Sequence, residues 1–138
     1  MKSVKQEGKM KKEIRKVLIA NRGVPAVRIM HTCRDRKIAT TAVYSTPDRL
    51  AHHVYMADSA VHIGDAPPAK SYLNIDRIIE AAHKSEADAI HPGWGFLSEN
   101  YQFAQAVIDE GFIWVGPPPE VIRILGDKIQ AKKIAENA

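Results

Sequence analysis

The chain has 138 residues, 45% of them apolar and 26% charged, which is enough for one domain with a real core and too little for several. Mean hydropathy is -0.27, and no apolar run nears the roughly 20 residues of a membrane span, so the composition is that of a soluble globular protein. The net charge of +4 does not mark a nucleic-acid binder: the first sixteen residues hold seven Lys and Arg against Glu7 and Glu13, and the other 122 hold thirteen basic and fourteen acidic side chains, so no excess of positive charge is gathered on the body.

Residues 1–13 read as a polar basic extension. The short apolar run at 17–20 stops at Asn21-Arg22-Gly23, as a strand buried on both faces does. A helix follows to about Arg36: Pro25 is tolerated in a first turn, and Ala26, Ile29, Met30 and Cys33 recur at three- and four-residue steps. Cys33 is the single cysteine, so no internal disulfide can form; with no apolar leader, a cytoplasmic setting is expected. Residues 39–44, rich in Thr and Val, form a second strand closed by the turn Ser45-Thr46-Pro47-Asp48.

After a polar stretch, residues 59–63 read as a third strand, and Gly64 to Pro68 as a loop, because two prolines remove backbone donors. Asn74 is placed to cap a helix whose Ile75, Ile78, Ile79 and Ala82 fall on one face. Residues 87–91 read as a fourth strand ending at Pro92-Gly93-Trp94-Gly95. Ser98 is the expected cap of the next helix, which carries Phe103, Val107 and Ile108 and ends at Gly111; residues 112–115 form a fifth strand closed by Gly116 and three prolines. Asp127 caps a last helical pattern from Lys128 to Asn137, with no Gly or Pro stop before the end.

Strands alternating with helices call for right-handed crossovers, and hence for an α/β domain with a doubly wound, Rossmann-like parallel sheet. In such sheets the loops at the carboxyl ends of the strands line the ligand crevice. Asn21-Arg22-Gly23, the Ser45 turn, residues 91–98 and residues 116–119 are therefore expected on one edge. The usual nucleotide signatures are missing, since neither G-x-G-x-x-G after the first strand nor G-x-x-x-x-G-K-[ST] occurs. The six histidines make no H-E-x-x-H, and the neighbours His52 and His53 point different ways on helix or strand, so no metal site is expected in this chain.

What is distinctive is the set of loops: KVLIANRG at 16–23, AVYS at 42–45, SYLNID at 71–76, ADAIHPGWGFLSEN at 87–100 and VGPPPEVIRILGDK at 115–128. In this order and spacing they closely resemble the N-terminal segment of biotin carboxylase, as found in acetyl-CoA, propionyl-CoA and pyruvate carboxylases, from about Ile14 onward. The resemblance implies residues 14–126 as the biotin carboxylase N-terminal domain, and residues 127–138 as the start of a helix leading to an ATP-grasp domain that this chain lacks. It implies a ligase chemistry in which ATP activates bicarbonate as carboxyphosphate and the carboxyl group passes to biotin on a carrier protein.

ATP, Mg2+ and bicarbonate would be held mainly by the ATP-grasp domain; biotin carboxyl carrier protein and carboxyltransferase are the further implied partners. Within this segment the resemblance assigns Lys128 to the ATP phosphates, the alternative being an ordinary surface lysine, and Trp94 between Gly93 and Gly95 to the neighbourhood of biotin, where most relatives have tyrosine; a Trp beside a strand end equally fills a core. It assigns no catalytic residue and no metal ligand here. His91 and Pro92 shape the turn; Glu99, in a first helical turn, is explained by the helix dipole alone. Arg22 either reaches an anion or pairs with an acidic neighbour.

Two departures stand out. Relatives read NRGEIA where this chain has Asn21-Arg22-Gly23-Val24-Pro25-Ala26, and His31 and Asp35 replace an Arg and Glu pair that in bacterial relatives lies at the subunit interface. The usual family dimer is therefore not expected. The competing reading is a non-catalytic, diverged paralogue that keeps the fold to bind a partner or effector.

Overall fold

A computed structural model describes residues 12–137; the extension expected over residues 1–13 lies outside the described residues except for Lys12 and Glu13. Five strands, β1 (Lys16–Ile19), β2 (Ala39–Ser45), β3 (Ser59–Gly64), β4 (Ala89–His91) and β5 (Ile113–Trp114), form one sheet in the order β3-β2-β1-β4-β5. Every neighbouring pair is parallel, so the chain steps outward from β1 in one direction, then crosses back to β4. That reversal is the doubly wound topology, and the point of reversal lies between β1 and β4.

β1 shows why the sheet has helices on both sides. Its alternate residues face opposite ways: Leu18 and the following Ala20 join Val43, Ile63, Ile78, Ile90, Phe103 and Val107 in one core. Val17 and Ile19 join Ala26, Met30, Cys33, Ala42 and Ala89 in the other. The first core is covered by α3 (Ile75–Lys84) and α4 (Tyr101–Asp109), the second by α1 (Gly23–Asp35) and the one-turn α2 (His52–Met56).

The helix ends follow ordinary capping chemistry, with one correction. Asn74 caps α3 as expected, its side chain accepting from the Arg77 N–H at 3.1 Å. For α4 the cap is Asn100, which accepts from the Phe103 N–H at 3.0 Å, and not Ser98, which lies in the turn before it. Both residue types cap well; two more residues of turn are needed to bring Phe103, Ala104 and Val107 onto the core. Gly111, at φ +84, closes α4 in the left-handed conformation.

Pro119 opens a helix, α5 (Pro119–Gly126), that the run of three prolines conceals in the sequence, although Pro is at home in a first turn. α6 (Lys128–Asn137) begins where Asp127 Oδ1 accepts from the N–H groups of Ile129 and Gln130 at 3.0 and 3.2 Å. His52 is exposed and His53 buried, as neighbours on one helical turn are, and His53 Nε2 donates to the Val43 carbonyl at 3.0 Å.

With two cores sharing one sheet, the chain is expected to unfold in a single cooperative transition. Leu18 is fully buried at the centre, so Leu18→Ala should cost about 2–5 kcal/mol, read as a shifted urea midpoint at unchanged slope. A non-cooperative melt of the parent chain would show that the two cores are not enough by themselves.

Candidate functional site

The carboxyl edge of the sheet is built around the exit of β1. Asn21 is 2% exposed; its Nδ2 donates to the carbonyls of Pro92 and Trp94, both at 2.8 Å, and its Oδ1 accepts from the Arg22 N–H at 2.8 Å. The side chain thus fills the space between β1 and β4 and ties the two exit loops together. Gly93 allows this approach: a Cβ there would lie 2.6 Å from Asn21 Nδ2, and its φ is +65. His91 completes the turn by accepting the Gly93 N–H on Nδ1 at 3.0 Å, and burial lowers its pKa below the usual histidine value.

Arg22, left open by the sequence, pairs with an acidic neighbour. Its Nη1 lies 3.0 Å from Asp48 Oδ2, and that oxygen also accepts from Tyr72 Oη at 2.6 Å and Ser45 Oγ at 3.0 Å. Burial pushes the Asp48 carboxyl up, but the hydrogen bonds from Tyr72, Arg22 and Ser45 outweigh it and hold the group below the ordinary aspartate value. Burial, then the bond to Asp48, pushes the Tyr72 phenol up to about 12, so it remains a donor; its own oxygen accepts from the Ser45 N–H at 3.1 Å.

The residues singled out in the sequence lie on this edge. Trp94 is 74% exposed and so does not fill the core. Gly93, Gly95 and Phe96 around it all have positive φ, at +65, +74 and +44. Lys128 stands at the first residue of α6 and lines a groove of about 550 Å³ with Ser98, Glu99, Pro117 and Leu125. The loop after β4, the prolines after β5 and Lys128 are thereby brought together.

Pro25 sits in the first turn of α1 and Val24 is exposed, so the altered NRG segment still starts a helix. His31 and Asp35 are both exposed on α1. The sequence did not point to Asp48, Tyr72 or the Asn21 clamp. The signal available was polar residues at strand exits, and nothing local says which of them meet.

Fold and edge together define a doubly wound α/β domain whose sheet-exit loops are tied to one another. A family model described as the biotin carboxylase N-terminal domain matches residues 13–122, and the chain belongs to that family. It is 54% identical over 125 residues to a biotin-dependent acyl-coenzyme A carboxylase alpha3 subunit of Mycobacterium leprae, covering 91% of this chain and 21% of that protein. Against a biotin carboxylase of Haemophilus influenzae the identity is again 54% over 125 residues, covering 91% and 28%.

Among solved structures, the biotin carboxylase domain of a thermophilic 2-oxoglutarate carboxylase bound to bicarbonate superposes with a TM-score of 0.86 at 42% identity, over 90% of this chain and 28% of that one. The chain therefore spans between a fifth and a third of the length of these relatives.

His91 generates a prediction with a definite sign. Its folded pKa is lowered, so below pH 6.5 the unfolded chain takes up a proton that the folded turn refuses. Stability is then expected to fall as pH drops from about 6.5 toward the folded value, and to be unaffected by this group above it. His91→Asn keeps an acceptor for Gly93 without titrating; urea unfolding at pH 8 and pH 5.5 should show a smaller acid loss in this variant than in the parent.

Proposed function

We propose that this chain acts as the N-terminal domain of a biotin carboxylase, the component that uses ATP and bicarbonate to carboxylate biotin on a carrier protein. The observation that carries the reading is the carboxyl edge itself. Ser98 and Glu99, just beyond the Trp94 turn, share one groove with Lys128, and the relatives matched at 54% identity are named as carboxylases.

In this reading the exposed indole of Trp94 offers a flat apolar face to the ring system of biotin. The Lys128 ammonium, on an exposed helix start, meets a phosphate oxygen of ATP. The carboxylates for Mg2+ are assigned, by the likeness to biotin carboxylases, to an ATP-grasp domain. That domain, the biotin carboxyl carrier protein and a carboxyltransferase are the partners. Among the described residues no helix is long and apolar enough to cross a membrane, and the buried, unpaired Cys33 fits a reducing, cytoplasmic setting.

Magnitudes decide what the 138 residues can do by themselves. One exposed ion pair contributes up to about 1 kcal/mol, whereas micromolar affinity needs roughly 8 kcal/mol. Carboxyphosphate further needs metal-held phosphates and a closed, water-poor site. The polypeptide alone is therefore expected to bind ATP weakly and not to cleave it with biotin and bicarbonate. Adding an ATP-grasp segment of a relative in trans should give turnover that Lys128→Ala lowers by about tenfold or more. Bicarbonate-dependent ATP cleavage by the purified chain alone would overturn the division of the site between domains; no turnover with any grasp segment would favour the non-catalytic reading.

The Arg and Glu pair of the bacterial dimer interface is replaced by His31 and Asp35, both exposed. The chain is expected to sediment as a monomer at micromolar concentration. A tight dimer that His31→Ala dissolves would show that the contact had been rebuilt with new residues.

A further inference from the structure

We propose that Asp48, Arg22 and Tyr72 are positioning residues that hold the Trp94 loop in a fixed, outward-facing shape from behind, without touching the ligand face. The inference rests on the reading of Trp94 as a ligand platform, which it deepens by naming what makes the platform rigid. The loop is gripped on both sides of Trp94 by two consecutive residues at the exit of β1. On one side Asn21 Nδ2 binds the Pro92 carbonyl at 2.8 Å, and it also binds the carbonyl of Trp94 itself at 2.8 Å. On the other, the Arg22 guanidinium carbon lies 5.6 Å from the centre of the Phe96 ring and 5.2 Å from that of Tyr72, while those two rings stack at 5.0 Å and 22°.

Phe96 is the part of the loop that needs holding. Its φ of +44 lies in the left-handed region, which a bulky side chain adopts only when the surroundings over-determine it. A free loop would relax there, and with Gly95 at φ +74 beside it, little would oppose a swing of Trp94. The aromatic stack and the cation above it are what keep Phe96 in place. They are in turn aimed by one carboxylate, because Asp48 Oδ2 binds both Arg22 Nη1 at 3.0 Å and Tyr72 Oη at 2.6 Å. Ser45 Oγ, at 3.0 Å from the same oxygen, fixes that carboxylate to the end of β2.

Asp48 acts at a distance, which makes it the informative position to change. Asp48→Ala should leave Arg22 free to leave the rings, so that amides 93–97 exchange with deuterium at least tenfold faster, while the amides of Leu18 and Ile19 keep parent rates. In a Trp114→Phe background, where Trp94 is the one remaining indole, its anisotropy should drop. Quenching of Trp94 by free biotin, titrated directly, should need about fivefold more biotin. Glu120→Ala, which breaks the exposed Arg123 pair at 2.6 Å, serves as the control that changes none of these.

If Asp48→Ala does not fold, Phe96→Gly removes the stack with the carboxylate network intact and should loosen the same amides. Parent exchange rates at 93–97 in a folded Asp48→Ala chain would overturn the proposal, as would a uniform rise that includes Leu18 and Ile19. Local loosening in a chain whose parent Trp94 shows no response to biotin would uphold the positioning role and sink the biotin reading of the platform.

Discussion

With 2% of its surface exposed, Asn21 has no water to satisfy its amide, so both N–H bonds and the carbonyl must find partners within the protein. They do: Pro92, Trp94 and Arg22 take all three. Because an unpaired buried polar group costs about 1–3 kcal/mol, this amide fixes the distance between the exits of β1 and β4 more firmly than loop packing could. The need for glycine at position 93 follows from it, since a side chain there would collide with Asn21. The His91 bond to the Gly93 N–H then turns the chain back toward solvent, and Trp94 comes out on the surface.

A second layer of constraint is electrostatic. Asp48 is reached by a guanidinium, a phenol and a hydroxyl, and the net effect is a carboxyl held below its ordinary value in spite of burial. A depressed folded pKa means that the network's stabilisation is fully present above the unfolded carboxyl value and is lost as pH falls through the lower folded one. Tyr72, pushed up to about 12, keeps its proton through neutrality and into the alkaline range while Asp48 is ionised. Donor and acceptor therefore hold their roles together at any pH near neutrality.

How far the sequence disclosed this architecture depended on the range of the interactions involved. All five strands and four of the helices, α1, α3, α4 and α6, follow from local patterns, because burial on one or two faces leaves a signature within ten residues. β5 shrinks to Ile113–Trp114, since a sheet edge needs few paired residues. α2 is a single turn of five residues, too short to show a period, and α5 was hidden by prolines that in fact start it. Trp94 and Lys128 stood out as residue types in matched motifs. Asn21 meets Pro92 across 71 positions, and Tyr72 meets Asp48 across 24; contacts of that separation exist only once the sheet order is known, so no local rule could name them.

The same edge differs from that of a doubly wound domain built for a dinucleotide. A doubly wound domain that binds one leaves the switch point open and uses glycines so that helix N–H groups can reach a pyrophosphate. In this chain Asn21 occupies the switch point, and α1 starts with Gly23, Val24 and Pro25, the last of which has no N–H to give. At the switch point the space between the exit loops is filled by the Asn21 side chain. The outer rim stays open: Trp94 is 74% exposed and Lys128 borders a groove with Ser98 and Glu99. A rim of this kind contacts a ligand from one side only. In the proposed reading its contribution is orientation: the indole offers a flat face to a ring and the ammonium offers its charge to a phosphate, each backed by the hydrogen-bonded residues behind it.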